Sequence, residues 1–190
     1  MSVWAVGASE LVALLAARVE RPVNALDAML HILGGTSDED GTVVEGALRP
    51  VLEALAFPER AIPKAFHYAG EDLGPYDDAA YWPKCLVGGT FPLEEFGHDW
   101  KLEATLAVTI AWPPAVGRRE QQESFDVASV VSGILRHPNY QGFYNPDTGA
   151  VAWGHLMPTG YRPVPMDWQK YSGWMATFIL RQFSGGNQWS

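Results

Sequence analysis

A single cysteine, Cys85, is all the thiol chemistry in this 190-residue chain, so no internal disulfide can staple it. Its ordinary role is that of a small hydrophobe in a strand. Long apolar runs are also missing, and none approaches the roughly 20 residues of a membrane-spanning helix. Positive charge is scarce: 13 Lys and Arg stand against 22 Asp and Glu, for a net charge of -9. The deficit lies almost wholly in residues 1–100, with 16 acids and 6 bases, against 6 acids and 7 bases in 101–190. An acidic chain has no general electrostatic grip on nucleic acid, which argues against sequence-specific nucleic-acid binding. The start of the chain lacks the basic stretch and cleavage site of a signal peptide. The expectation is a protein assembled in the cytosol, with no membrane partner.

Catalytic signatures are equally absent. His31, His67, His98, His137 and His155 include no pair at metal-ligand spacing, and there is no HExxH or CxxC. No GxSxG elbow, GxxxxGK[ST] loop or GxGxxG fingerprint exists, so neither nucleophilic catalysis nor nucleotide binding has support. No catalytic residue, metal or cofactor is therefore assigned. His98-Asp99, just before a strand, is the best local pair for acid–base work. Asp77-Asp78 and Glu94-Glu95 read as solvated loop charges, because adjacency does not make carboxylates converge. Arg118-Arg119, the only basic doublet, is followed by Glu120 and Glu123 and reads as an exposed turn.

What the chain does contain is pattern. Apolar residues make up 47%, enough for a core, alongside 8 Trp and 14 Pro that suggest long ordered loops. From Trp100 to Trp112 the residues alternate strictly. Leu102, Ala104, Leu106, Val108, Ile110 and Trp112 form one face of a half-buried strand. After Pro113-Pro114 a helix follows, capped by Ser124 and ending at His137-Pro138. It carries Val127, Val130, Val131, Ile134 and Leu135 on one side. Leu106 and Ile110 are expected beneath Val127, Val131 and Ile134. Tyr171 to Phe183 reads as a last, central strand, apolar on both faces.

The remaining segments are weaker. Helical spacing covers Glu10–Arg18, then Leu26, Met29, Leu30 and Leu33, with Gly34-Gly35 as the stop. Ser37 to Asp40 reads as a helix start, and Val44 to Leu55 as its stripe, with a kink or break at Pro50. Ala65–Tyr68 and Tyr81–Val87 read as strands, the latter at an edge because of Pro83. Gly88-Gly89 is expected to turn the chain. Residues 70–81, 90–99, 139–149 and 158–167 read as loops, and 150–157 as a strand. The fold class is α+β: a mainly antiparallel sheet with helices packed on one face and long surface loops. A single domain spans 1–190, with a helical portion over about 1–57 and a sheet–helix core over about 58–184.

The second face of the long strand includes Thr105, Ala107 and Thr109. These small residues are not the charged side chains of an ordinary solvent face, and they admit close approach by a neighbour. The C-terminal third is dense in aromatics, among them Trp153, Trp168 and Trp174, residue types enriched at protein interfaces. These six residues are the candidate subunit-interface or channel positions.

The order of elements resembles the tail terminator, or tail-to-head joining, proteins of long-tailed bacteriophages. The likeness covers roughly residues 45–183. It runs through the proline-bounded strand Pro63-Lys64-Ala65-Phe66, the long strand from Trp100 to Val108, the helix from Ser124 to Arg136 and the closing strand from Gly173 to Phe183. The N-terminal extension and the stretches 70–81 and 139–168 depart from the compact pattern. The resemblance implies a homo-oligomeric ring, usually six-fold, that caps the tail tube and joins it to head-connector proteins in the virion. It implies no catalytic residue. The competing expectation is a small α+β enzyme or ligand-binding domain using the aromatic loops and His98.

Overall fold

A computed structural model describes residues 25–26, 28–37, 43–71, 73, 79–90, 93–96, 99–114, 116–137, 156–165 and 171–184. The strands in chain order are β1 Gly35–Ser37, β2 Val43–Glu45, β3 Ala65–Tyr68, β4 Lys84–Thr90, β5 Leu93–Phe96, β6 Asp99–Trp112, β7 Leu156–Pro163 and β8 Ser172–Ser184. A short helix covers Leu48–Ala54, a long one covers Arg118–Leu135, and residues 25–26 and 28–34 are helical. No helix among the described residues is long and apolar enough to cross a membrane.

Alternation in β6 builds the main sheet, whose order is β3-β4-β6-β8-β7 with β5 also on β6. Strand β8 pairs with β6 from Trp100↔Ser184 to Trp112↔Ser172, occupying one side of β6 along nearly its whole length. β4 and β5 share the other side, β4 against Thr105–Ala111 and β5 against Asp99–Leu102. Only β3 and β4 run parallel; the remaining pairs are antiparallel. The result is an open α+β sheet with β3 and β7 at its edges.

The even residues of β6 make the core. Ala104, Leu106, Val108 and Ile110 are fully buried, in one cluster with Cys85, Val87, Ala176, Phe178 and Leu180 of the flanking strands. Val127, Ala128, Val131, Ile134 and Leu135 of the long helix belong to the same cluster, as the meeting of a two-residue period with a helical stripe requires. Each large aliphatic side chain buried there contributes about 1.5–3 kcal/mol. Met29, Leu33, Leu48 and Leu52 extend the cluster toward the N-terminal helical residues.

Several local expectations are corrected. Ser37 ends a strand, and Val44 lies in β2, which pairs with β1; the stripe becomes a helix only at Leu48. Pro50 does not break that helix. It is the third residue, where the amide would have no intrahelical acceptor in any case. Pro83 does not mark an edge, because it precedes β4, which lies between β3 and β6. Gly88-Gly89 does not turn the chain. Gly88 pairs with Ala107 and Gly89 with Leu106, and a Cβ on Gly89 would meet the Leu106 side chain at 2.7 Å. Glycine is here for close approach within a sheet. Part of the expected 90–99 loop is β5, and part of the expected 158–167 loop is β7. Pro158 and Pro163 are tolerated in β7 because it is an edge, irregular between Pro158 and Gly160. The expected helix over 10–18 lies outside the described residues.

Ser124 is not a cap. The long helix begins six residues earlier, at Arg118 after Gly117. Ser124 is fully buried and joins β6 to β8: its Oγ donates to the Ile110 carbonyl at 2.6 Å and accepts from the Trp174 amide at 2.9 Å. The neighbouring Gly173 has φ 139°, and a Cβ there would collide with the Ile110 carbonyl oxygen. The hydroxyl and the missing side chain together seat the helix against the strands.

Candidate assembly surfaces

The odd residues of β6 face away from the long helix, and their surroundings change along the strand. At one end Leu73, Trp82, Leu86, Ala111 and Trp112 form a second apolar cluster, with Val116 and Tyr171 against it. Lys84 is buried in this region, with its Nζ bonded to the Leu73 carbonyl and 5.0 Å from the centre of the Trp82 ring. Thr109 lies toward this end, paired with Leu86 and Met175, and is only 5% exposed. It is therefore covered within one chain. Toward the other end the cover stops. Thr105 is exposed and Ala107 half-buried, and beside them Ile179 and Thr177 on β8 are half-buried. Met157 on β7 is also exposed. These five side chains are uncharged, and Arg162 of β7 lies on the same face, its Nε 3.1 Å from the Met175 sulfur. The Thr177 hydroxyl is engaged locally, accepting from Thr159 at 2.9 Å and donating to the Gly160 carbonyl at 3.1 Å.

Trp174 belongs to a different surface. It pairs with Ile110, so its side chain lies on the helix side of the sheet, opposite Thr105, Ala107 and Thr109. There Phe125 stands edge-on to Trp174 at 5.0 Å and edge-on to Tyr161 at 5.4 Å between ring centres. Trp174 and Phe125, with Arg118, Gln121 and Gln122, line an open groove of about 300 Å³. Among the described residues Arg118 makes no ion pair, whereas Arg119 and Arg60 both bond Glu123. A sequence reading that treats Arg118-Arg119 as one exposed doublet misses this division. Phe125 was legible only as a large aromatic off the helix's apolar stripe. A second groove of about 430 Å³, lined by Ala47, Val51, Leu55, Val130, Gly133, Ile134 and His137, separates the two helices, and Leu55 there is 58% exposed.

The four candidate positions among the described residues divide between the two faces of the sheet. Thr105, Ala107 and Thr109 share a face, Trp174 occupies the opposite one, and Trp153 and Trp168 lie outside the described residues. His98 lies outside them too. Cys85 is buried in the core, and burial pushes its thiol up to about 12, far from a nucleophile's range. Among the described residues no group of three or more His, Cys, Asp or Glu could hold a metal ion. No protein-family model and no curated protein matches the chain.

Proposed function

We propose that this chain is a structural subunit of a long-tailed phage virion, forming a ring that caps the tail tube and joins it to the head connector while DNA passes through. The observation that carries the reading is the half-open run of small and apolar side chains Thr105, Ala107, Thr177, Ile179 and Met157 on the second face. The free face of an antiparallel sheet ordinarily bears polar and charged residues. Small and apolar side chains there suit a neighbouring subunit, which removes them from water. The net charge of -9 suits a passage along which DNA slides without being held. The order of proline-bounded strand, long strand, helix and closing strand is the one on which the resemblance to tail terminators rests.

Sedimentation across the micromolar range, with and without tail tube protein, tests the reading. The expected result is a closed oligomer, or one that closes on the tube end. A chain that stays monomeric under both conditions overturns it.

A further inference from the structure

We propose that copies of this chain meet head to tail, the second face of one copy seating Met157 in the groove between the two helices of the next, with Arg162 of the first paired to Asp126 of the second. The inference rests on the ring reading in requiring several copies, and it names the two surfaces that reading leaves open.

The receiving half is the groove of about 430 Å³ between the short and long helices. Ala47, Val51 and Leu55 make one apolar wall, and Val130 and Ile134 the other. Gly133 leaves a hollow in the second wall: it is exposed, and a Cβ there would meet no atom within 4 Å. Glycine inside a helix is unfavourable relative to alanine. Nothing packed against Gly133 within the subunit requires it, since a side chain would have room. A side chain entering from another molecule does require that room. Asp126 stands one turn before Val130 on the same side of the helix. Among the described residues it bonds only the Gln122 amide, at 2.9 Å, so its charge meets no cation there. The groove thus offers an apolar hollow with a carboxylate at one end.

The second face carries the matching set. Met157 is 39% exposed and lies beside Ile179 and Thr105 in the sheet register. Arg162, on the same strand and face, is exposed and makes no ion pair among the described residues. The Thr177 hydroxyl already donates to the Gly160 carbonyl, so covering it strands no donor. The spacings also agree. Five residues of β7 separate Met157 from Arg162, roughly 15 Å of strand. Seven residues of the long helix separate Asp126 from Gly133, roughly 11 Å. An arginine side chain spans the difference. A chain of net charge -9 repels its own copies, and this contact brings a cation to an acid around an apolar centre. The groove lies on the helix side of the sheet and Met157 on the other, so the joined surfaces are different ones. Such a contact is head to tail, and it closes into a ring when the rotation permits.

Mixing two defective full-length chains tests this, with tail tube protein present if wild type needs it to assemble. Gly133→Arg blocks the groove and Met157→Arg spoils the second face. Each alone should weaken self-association about tenfold or more, because it puts an unmatched charge into an apolar contact. Gly133→Arg should leave the thermal unfolding midpoint unchanged or raised, since glycine is the poorer helix residue. Mixed in equal amounts, the two retain one intact contact and should form a 1:1 pair and nothing larger in sedimentation. In a separate arm, Arg162→Glu should weaken assembly and Asp126→Arg in the same chain should restore it. If Gly133→Arg assembles as wild type does, the groove contact is overturned while the ring reading stands. If both variants fail alone and the mixture forms no pair, the two surfaces do not meet each other, and the contact is again overturned. A charge swap that restores nothing overturns the Arg162–Asp126 pairing. A wild-type chain that never assembles, with or without tail tube protein, overturns this contact and the ring together.

Discussion

Two small side chains, Cys85 and Ser124, are fully buried, with different consequences. Cys85 is enclosed by the sheet and helix, and its thiol is held up at about 12 against an ordinary value near 9. An unfolded chain ionises that thiol while the folded chain keeps it neutral. Its contribution to stability is therefore intact below about 9 and lost as pH rises toward 12. At mildly alkaline pH, iodoacetamide should leave native Cys85 untouched and alkylate it once denaturant unfolds the chain. Rapid native alkylation would show the thiol to be accessible. Ser124 is the second case. Its hydroxyl serves both the Ile110 carbonyl and the Trp174 amide in a buried position. Ser124→Ala should cost about 1–3 kcal/mol, the penalty for stranding buried backbone groups. Denaturant unfolding with an unchanged midpoint would refute that role.

Between elements, the decisive contact is the long helix on β6 and β8. Ile110 is fully buried in the cluster that holds Val127, Val131 and Ile134. Ile110→Ala should cost roughly 2–5 kcal/mol in denaturant unfolding, by lost burial and a residual cavity. A near-zero change would refute the packing. The helix is also tied to the segment after the short helix: Arg60 bonds Glu123, and Arg119 holds the same Glu123 oxygen at 3.3 Å. The Glu123 side chain is only 12% exposed, and its buried Oε2 has no partner among the described residues. Arg60→Ala should therefore destabilise by more than the ~0–1 kcal/mol typical of exposed pairs, because it leaves a largely buried carboxylate less well paired. A loss within the exposed-pair range, in the same unfolding assay, would mean that Arg119 suffices.

At the scale of the whole molecule, the two threonines of β6 separate folding from assembly. Thr109 is covered within its own chain, so Thr109→Arg should lower the unfolding midpoint whatever the oligomeric state. Thr105 is exposed, so Thr105→Arg should leave the fold intact and weaken the proposed ring. Parallel thermal unfolding and sedimentation of both variants check this. Equal assembly by wild type and Thr105→Arg would remove the open face from the subunit contact.

The strongest elements were legible from residue order because each rests on a local period. Alternation through Ala104, Leu106, Val108 and Ile110 declares a half-buried strand. The stripe Val127–Leu135 declares the helix that covers it. Weaker signals failed where a residue's role depends on a distant partner. Gly88-Gly89 resembles a turn until Leu106 is seen to need the space, and Ser124 resembles a cap until Ile110 and Trp174 arrive beside it. The small residues of β6 were visible as a set, yet their period of two says only that they share a face. Which of them stays open depends on where Leu73, Trp82 and Leu86 come to rest, a matter of long-range packing. The same holds for Trp174, whose distance along the chain from Arg118 and Phe125 hides the groove they line together. The sequence by itself determined the alternating strand, the covering helix and the acidic imbalance, because periodicity and charge are local or additive. Only the tertiary structure decided which side chains lie on opposite faces, because that follows from strand register and from partners far away in the chain.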